Sequence, residues 1–178
     1  MYALQDYIGE DSVNAALKRF VNDWGFKDAP YPTSADLISY YRTVTPDSLQ
    51  YIIDDMFTYI TLFENKTRQA EYQILADSTY EVSLAMDVIK YQADSLGNET
   101  AVNLEDWIDV GIFSTDEDGE DKLIYLKKHK FTKEENGLTI RVKDLPTKAG
   151  IDPINKLIDR NPEDNIKELS EKEEVTSS

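Results

Sequence analysis

The chain has 178 residues, 35 of them acidic and 19 basic, for a formal charge of −16, with one histidine and no cysteine. That balance argues against a nucleic-acid partner, which needs a dense basic face, and the absence of cysteine removes disulfide scaffolds and thiolate metal sites. A hydrophobic content of 40% is enough for packed cores in one domain or two small ones.

No apolar run is long enough to span a bilayer, since the best one is broken at Asp54 and Asp55. No basic segment followed by an apolar one opens the sequence. The chain is therefore expected to be a soluble piece that does not itself cross a membrane. Its charge is spread over residues 1–66 (−5), 67–159 (−8) and 160–178 (−3), the pattern of a solvated surface rather than of a polyacidic patch that names a partner.

Taken in chain order, Met1 to Ile8 has helical spacing, with Ala3 or Leu4 and Ile8 on one side and Gly9 placed to end it. No capping residue precedes it, so the helix reads as cut in the middle, and the chain as a fragment whose upstream partner is missing. From Glu10 to Trp24, Val13, Ala16, Leu17, Phe20, Val21 and Trp24 recur at steps of three and four and predict an amphipathic helix. Thr33 with Asp36 three residues on has the form of a capping box opening a helix to about Arg42, which buries Leu37, Ile38 and Tyr41. Thr45-Pro46 repeats that grammar, with proline preset for a first helical position and Leu49, Ile52, Ile53, Met56 and Phe57 as the stripe.

After Asn65 the period changes to two. Tyr80, Val82, Leu84, Met86 and Val88 alternate with polar or small residues, the signature of a strand with one face on a core. Further strands are expected around Tyr72 and Ile74, Ile108 to Ile112, Ile124 and Leu126, and Leu138 to Val142. Turns are expected at Asp77-Ser78, Leu96-Gly97-Asn98, Asp116 to Asp121 and Asn136-Gly137. The fold class is therefore α+β: a helical segment over 1–66, then a small antiparallel β-sandwich over 67–159, with an open barrel as the alternative. Residues 160–178 hold few large apolar groups and are expected to form a disordered acidic tail.

Chemistry is sparse. His129 is the one candidate for a triad base, and it sits among Lys127, Lys128 and Lys130 at a strand end. A His-Glu-x-x-His zinc helix needs two histidines. An EF-hand register that puts Gly119 sixth within Asp116 to Asp121 places Ser114 first and Tyr125 last, where a bidentate carboxylate is required, so that run reads as a charged hairpin loop. Asp54 with Asp55 and Asp106 with Asp109 are the nearest carboxylate pairs, and nothing in the sequence makes either pair converge as glycoside hydrolysis demands. No glycine-rich phosphate loop is present. Asn65-Lys66-Thr67 and Asn98-Glu99-Thr100 match glycosylation acceptors and read as turns, and tyrosines such as Tyr41, Tyr80 and Tyr125 fit core positions better than a binding groove. No catalytic, cofactor-binding or metal-ligating residue is assigned.

Read together, Met1 to Asp11, Asn14-Ala15-Ala16-Leu17, Tyr31-Pro32-Thr33-Ser34 with Asp36-Leu37, Thr61 to Asn65, Trp107 to Phe113, Gly150-Ile151-Asp152-Pro153 and Leu157 to Arg160 resemble the C-terminal portion of aminopeptidase N-like zinc metallopeptidases. The closest likeness is to the bacterial subgroup in which such a peptidase is fused to an ABC-transporter permease. The resemblance implies that the zinc ligands and the oxyanion-stabilising tyrosine lie upstream of Met1, so none carries over. It also implies a helical extension followed by a β-sandwich, an upstream peptidase domain as partner, peptide substrates and zinc for the parent, and a bacterial membrane location for the parent. A stand-alone module binding protein or carbohydrate is the other expectation.

Overall fold

The structure, a computed structural model describing residues 2–172, is α+β: helices come first and two mostly antiparallel sheets follow. The chain divides into two compact units, one running to Thr61 and including Ala93–Asn98, the other formed by Leu62–Gln92 and the chain from Glu99 onward.

The helical unit contains α1 (Tyr2–Ile8), α2 (Glu10–Trp24), α3 (Ser34–Val44) and α4 (Gln50–Phe57), the last entered through a 3₁₀ turn at Asp47–Leu49. Gly9 separates α1 from α2 with φ 86°, a conformation that side chains resist, while its N–H still donates to Gln5 O at 2.8 Å. Leu4, Val13, Ala16, Tyr41, Ile52 and Ile53 form the buried core, with Leu17, Leu37, Ile38, Met56 and Phe57 packed on it. Val21, expected on that face, is 56% exposed. At 3.6 residues per turn it lies about 80° round the helix from Val13, at the margin of the stripe.

Thr33 caps α3 as its spacing predicts. Its Oγ1 accepts from Asp36 N, and its own N–H donates to Asp36 Oδ2 at 2.7 Å. Pro46 does not take the first position of an α-helix; it precedes the 3₁₀ turn with ψ 149°. Instead, Gln50 closes the end of α3, its Nε2 donating to Arg42 O at 3.0 Å and Thr45 O at 2.7 Å.

The second unit is built from β1 (Ile60–Ile74), β2 (Tyr80–Ala93), β3 (Glu99–Ala101), β4 (Asp106–Thr115), β5 (Asp121–Phe131), β6 (Glu135–Val142), β7 (Lys148–Ile151), β8 (Ile166–Glu168) and β9 (Ser170–Glu171). One sheet runs β3-β2-β1-β9 with β6 also paired to β2, and the other runs β5-β4-β7-β8. Their core is made by Phe63, Met86, Ile108, Val110, Phe131 and Ile151 among others. Every even position of β2 from Val82 to Lys90 is buried, as its two-residue period requires.

Three expectations are corrected here. The strand β1 begins at Ile60, ahead of the predicted change of period, because its inward positions Asn65 and Thr67 are polar and hide the alternation. Asn136-Gly137 is not a turn but part of β6, opposite Met86 and Ala85. The bend lies just before it, where Asn136 Nδ2 donates to Lys133 O and Glu134 O at 2.7 and 3.0 Å.

The tail is not disordered from residue 160. Lys148, Ala149 and Gly150 of β7 pair with β8, β9 runs parallel to β1 at Glu71 and Tyr72, and Lys172 N donates to Tyr72 O at 2.8 Å. Backbone pairing, with Leu169 packed on the core, holds this segment, so its composition does not register it. The remainder of that expectation, residues 173–178, lies outside the described residues, as does Met1.

Candidate functional site

The residues singled out from sequence are occupied with structure. His129, on β5, shares a hydrogen bond with Tyr125 Oη at 2.9 Å, and burial, helped by Lys127, pushes its imidazole below the ordinary value. In the Asp116 to Asp121 loop, Asp116 Oδ1 accepts from Asp118 N at 3.0 Å and Glu120 N at 2.9 Å, so the carboxylate serves its own turn. Asp54 pairs with Arg42 and Asp55 accepts from Thr61 Oγ1. Asn65, Lys66 and Thr67 form part of β1 rather than a turn, and Asn98 precedes β3, which begins at Glu99.

Asp106 and Asp109 do not converge either, since each holds its own lysine. Asp106 takes Lys90 at 3.0 Å, both almost fully buried, while Asp109 takes Lys128 at 3.0 Å and Lys156 at 2.8 Å. A buried carboxylate keeps its charge only when such partners accompany it. Among the described residues no group of three or more His, Cys, Asp or Glu is placed to hold a metal ion.

The short motifs from Trp107 to Phe113, Gly150 to Pro153 and Leu157 to Arg160 meet in space. Asp152 N donates to Asp109 O at 2.8 Å, and the Asp152 carboxylate, at φ 43°, accepts from Lys156 N and Leu157 N at 2.9 Å each. Burial raises the Asp152 carboxyl above its ordinary value, opposed by those two amides. A Cβ on Gly111 would meet Pro153 Cγ at 2.6 Å, and one on Gly150 would meet Asn165 O at 1.9 Å, so both positions require glycine. Asp159 then accepts from Asn65 N at 3.1 Å and Asn161 N at 2.9 Å. These residues form the joint that returns the chain to β1.

Beside that joint lies a cleft of about 290 Å³, lined by Glu64, Asn65, Lys66, Asp87, Ile89, Glu134, Arg160, Asn161 and Asp164. Four carboxylates against two cations make its wall acidic. Part of it is fixed in advance: Arg68 holds Asp87 at 2.9 Å, Lys66 holds Asp164 at 3.6 Å, and Tyr91 donates to Glu64 at 3.3 Å while Arg160 lies 4.7 Å over its ring. Arg160 also pairs with Glu99.

Buried polar atoms without a hydrogen-bond partner, among the described residues, lie on the lining residues Asn65 and Asp164 and on Asn165, next in sequence to Asp164. They are both side-chain atoms of Asn65 and of Asn165, with one oxygen of Asp164. Asn65 is 1% exposed and Asn165 0%. Such atoms cost free energy unless something fills them. Sequence reasoning missed this cleft because its residues come from four distant stretches. The available signal was a polar Asn65 in step with inward-facing Phe63 and Thr67.

No family model matches the chain, and no curated protein matches it.

Proposed function

We propose that the chain is the non-catalytic, C-terminal portion of an aminopeptidase N-like zinc metallopeptidase of the permease-fused bacterial subgroup, with a structural or cleft-shaping role in its parent. The observation that supports this reading is the joint: of the short motifs that carry the resemblance, Trp107 to Phe113 lies some forty residues from Gly150 to Pro153 and Leu157 to Arg160, yet all three interlock through Asp109, Gly111, Asp152, Pro153 and Leu157. Motifs that recur for architectural reasons are what a non-catalytic portion would share with its relatives. Zinc does not fit the residues present, because the peptidase helix needs two histidines and the chain has one. Zinc, peptide substrate and membrane attachment therefore belong to the parent in this reading, and the partner of this portion is the peptidase domain upstream.

Two measurements test it. Sequencing the native message upstream of the Met1 codon should reveal an open frame carrying a His-Glu-x-x-His helix; a frame that starts at Met1 sinks the reading. The purified chain should hold no stoichiometric zinc and leave aminoacyl-nitroanilides intact, and one tightly held zinc per chain would contradict it.

A second reading, a stand-alone module that binds protein or carbohydrate, is favoured by the acidic cleft and its unpartnered amides. A ligand from a peptide or glycan screen that binds the β unit would support it.

A further inference from the structure

We propose that the cleft beside β1 binds a neutral polyhydroxylated ligand about the size of one sugar ring. The inference deepens the binding-module reading and holds whether or not the chain belongs to a peptidase. The unpartnered buried atoms are three oxygens and two amide nitrogens on Asn65, Asp164 and Asn165. Asn65, Asp87 and Asp164 line one cleft, and Asn165 adjoins Asp164 and is held against β1 by Thr67 Oγ1, which donates to Asn165 O at 2.6 Å.

The kinds of atom left over discriminate between ligands. A metal ion would serve oxygens only and leave the Asn65 NH₂ group without an acceptor. No three carboxylates, moreover, are gathered to hold one among the described residues. An organic cation likewise donates without accepting. An anion is opposed by the excess of carboxylates on the wall. A hydroxyl both donates and accepts, and adjacent hydroxyls on one ring can donate to a carboxamide oxygen while accepting from its nitrogen.

The rest of the wall suits the same chemistry. Glu134 and Asp87 offer acceptors, Lys66 and Arg160 offer donors, and Ile89 supplies an apolar patch for a ring face. The ion pairs of Arg68 and Lys66 and the Tyr91 hydroxyl hold Asp87, Asp164 and Glu64 before any ligand arrives, which lowers the entropic cost of binding. A volume near 290 Å³ stands at the small end of the range for small-molecule sites, about 300–1,000 Å³.

The test is an amide NMR titration of the whole chain with D-glucose, D-galactose and D-mannose, and in separate arms with calcium chloride and methylguanidinium chloride. At least one sugar should shift the Lys66, Ile89 and Asp164 amides in a saturable way. Asn65→Leu removes both unpartnered groups of that side chain and should weaken binding about tenfold or more, the loss expected for two hydrogen bonds. Glu134→Gln, at an exposed rim position, should weaken it about fivefold with the fold intact, so it decides the matter if the Asn65 variant does not fold. Shifts at these amides with calcium or methylguanidinium but with no sugar overturn the proposal. So do sugar shifts confined to other residues, sugar affinity unchanged in Glu134→Gln, or a cleft that holds water alone. A peptide that binds the β unit where no sugar does would also overturn it while leaving the binding-module reading in place.

Discussion

Asp109 shows how much one side chain carries in this molecule. It is 5% exposed and is the common partner of Lys128 and Lys156, of which Lys156 is 4% exposed at its side chain. Asp109→Ala would take the carboxylate from the buried Lys156 ammonium, and removing one partner of such a pair costs about 3–5 kcal/mol. We expect a loss of that size in the urea unfolding of the β unit, read by Trp107 fluorescence in a Trp24→Phe background. His129 gives a prediction of a different kind. Its folded pKa is lowered by burial, so below the ordinary value of 6.5 the unfolded chain takes up the proton first. Its contribution to stability is lost as pH falls through that window. Asp152 works the other way: its raised carboxyl pKa makes the folded chain take up a proton first as pH falls. The comparison must therefore be with His129→Gln. The stability difference between wild type and His129→Gln should be flat above about pH 7 and should shift in favour of the variant at about pH 5.5. A difference that does not change over that interval would contradict it.

Among the elements, those with a local cause are the ones legible in the sequence. The Thr33 and Asp36 pair, four residues in one turn, specifies its helix start through bonds that close within those residues. Thr33→Ala should accordingly cost about 1 kcal/mol, visible as a lower urea midpoint by circular dichroism at helical wavelengths. Replacement by Ser, which keeps the hydroxyl, should recover most of it. β2 is legible for a related reason, since five apolar or paired residues alternate without interruption. β1 is only half legible: its second half follows Tyr72 and Ile74, but its first half hides behind Asn65 and Thr67. The cleft escapes sequence reading altogether. Glu64, Asp87, Glu134 and Asp164 are ordinary surface residues until the topology of β1, β2 and the returning chain sets them round one space.

At the scale of the whole molecule, the returning chain from Asp159 to Lys172 decides how the β unit closes. It contributes the outermost strand to both sheets, β8 beside β7 and β9 beside β1, and carries Asn165, whose carbonyl accepts from both Thr67 Oγ1 and Ile151 N. Composition reads this stretch as a dispensable tail, because long-range backbone pairing leaves no local signature. The two views predict opposite outcomes for a chain ending at Asn161. A disordered tail can be cut at no cost. With β8 and β9 paired as they are, the cut exposes the edges of β7 and β1, leaves the Gly150 and Thr67 side of the core uncovered, and turns two protected strands into open ones that favour aggregation. We expect the shortened chain to unfold at a clearly lower urea concentration, followed through Trp107 in a Trp24→Phe background. We also expect amide exchange to accelerate at Ala149, Gly150 and Ile151 of β7 well before it does at the centre of β2. Equal midpoints for the two chains, with unchanged exchange along β7, would return residues 162–172 to the status of a tail.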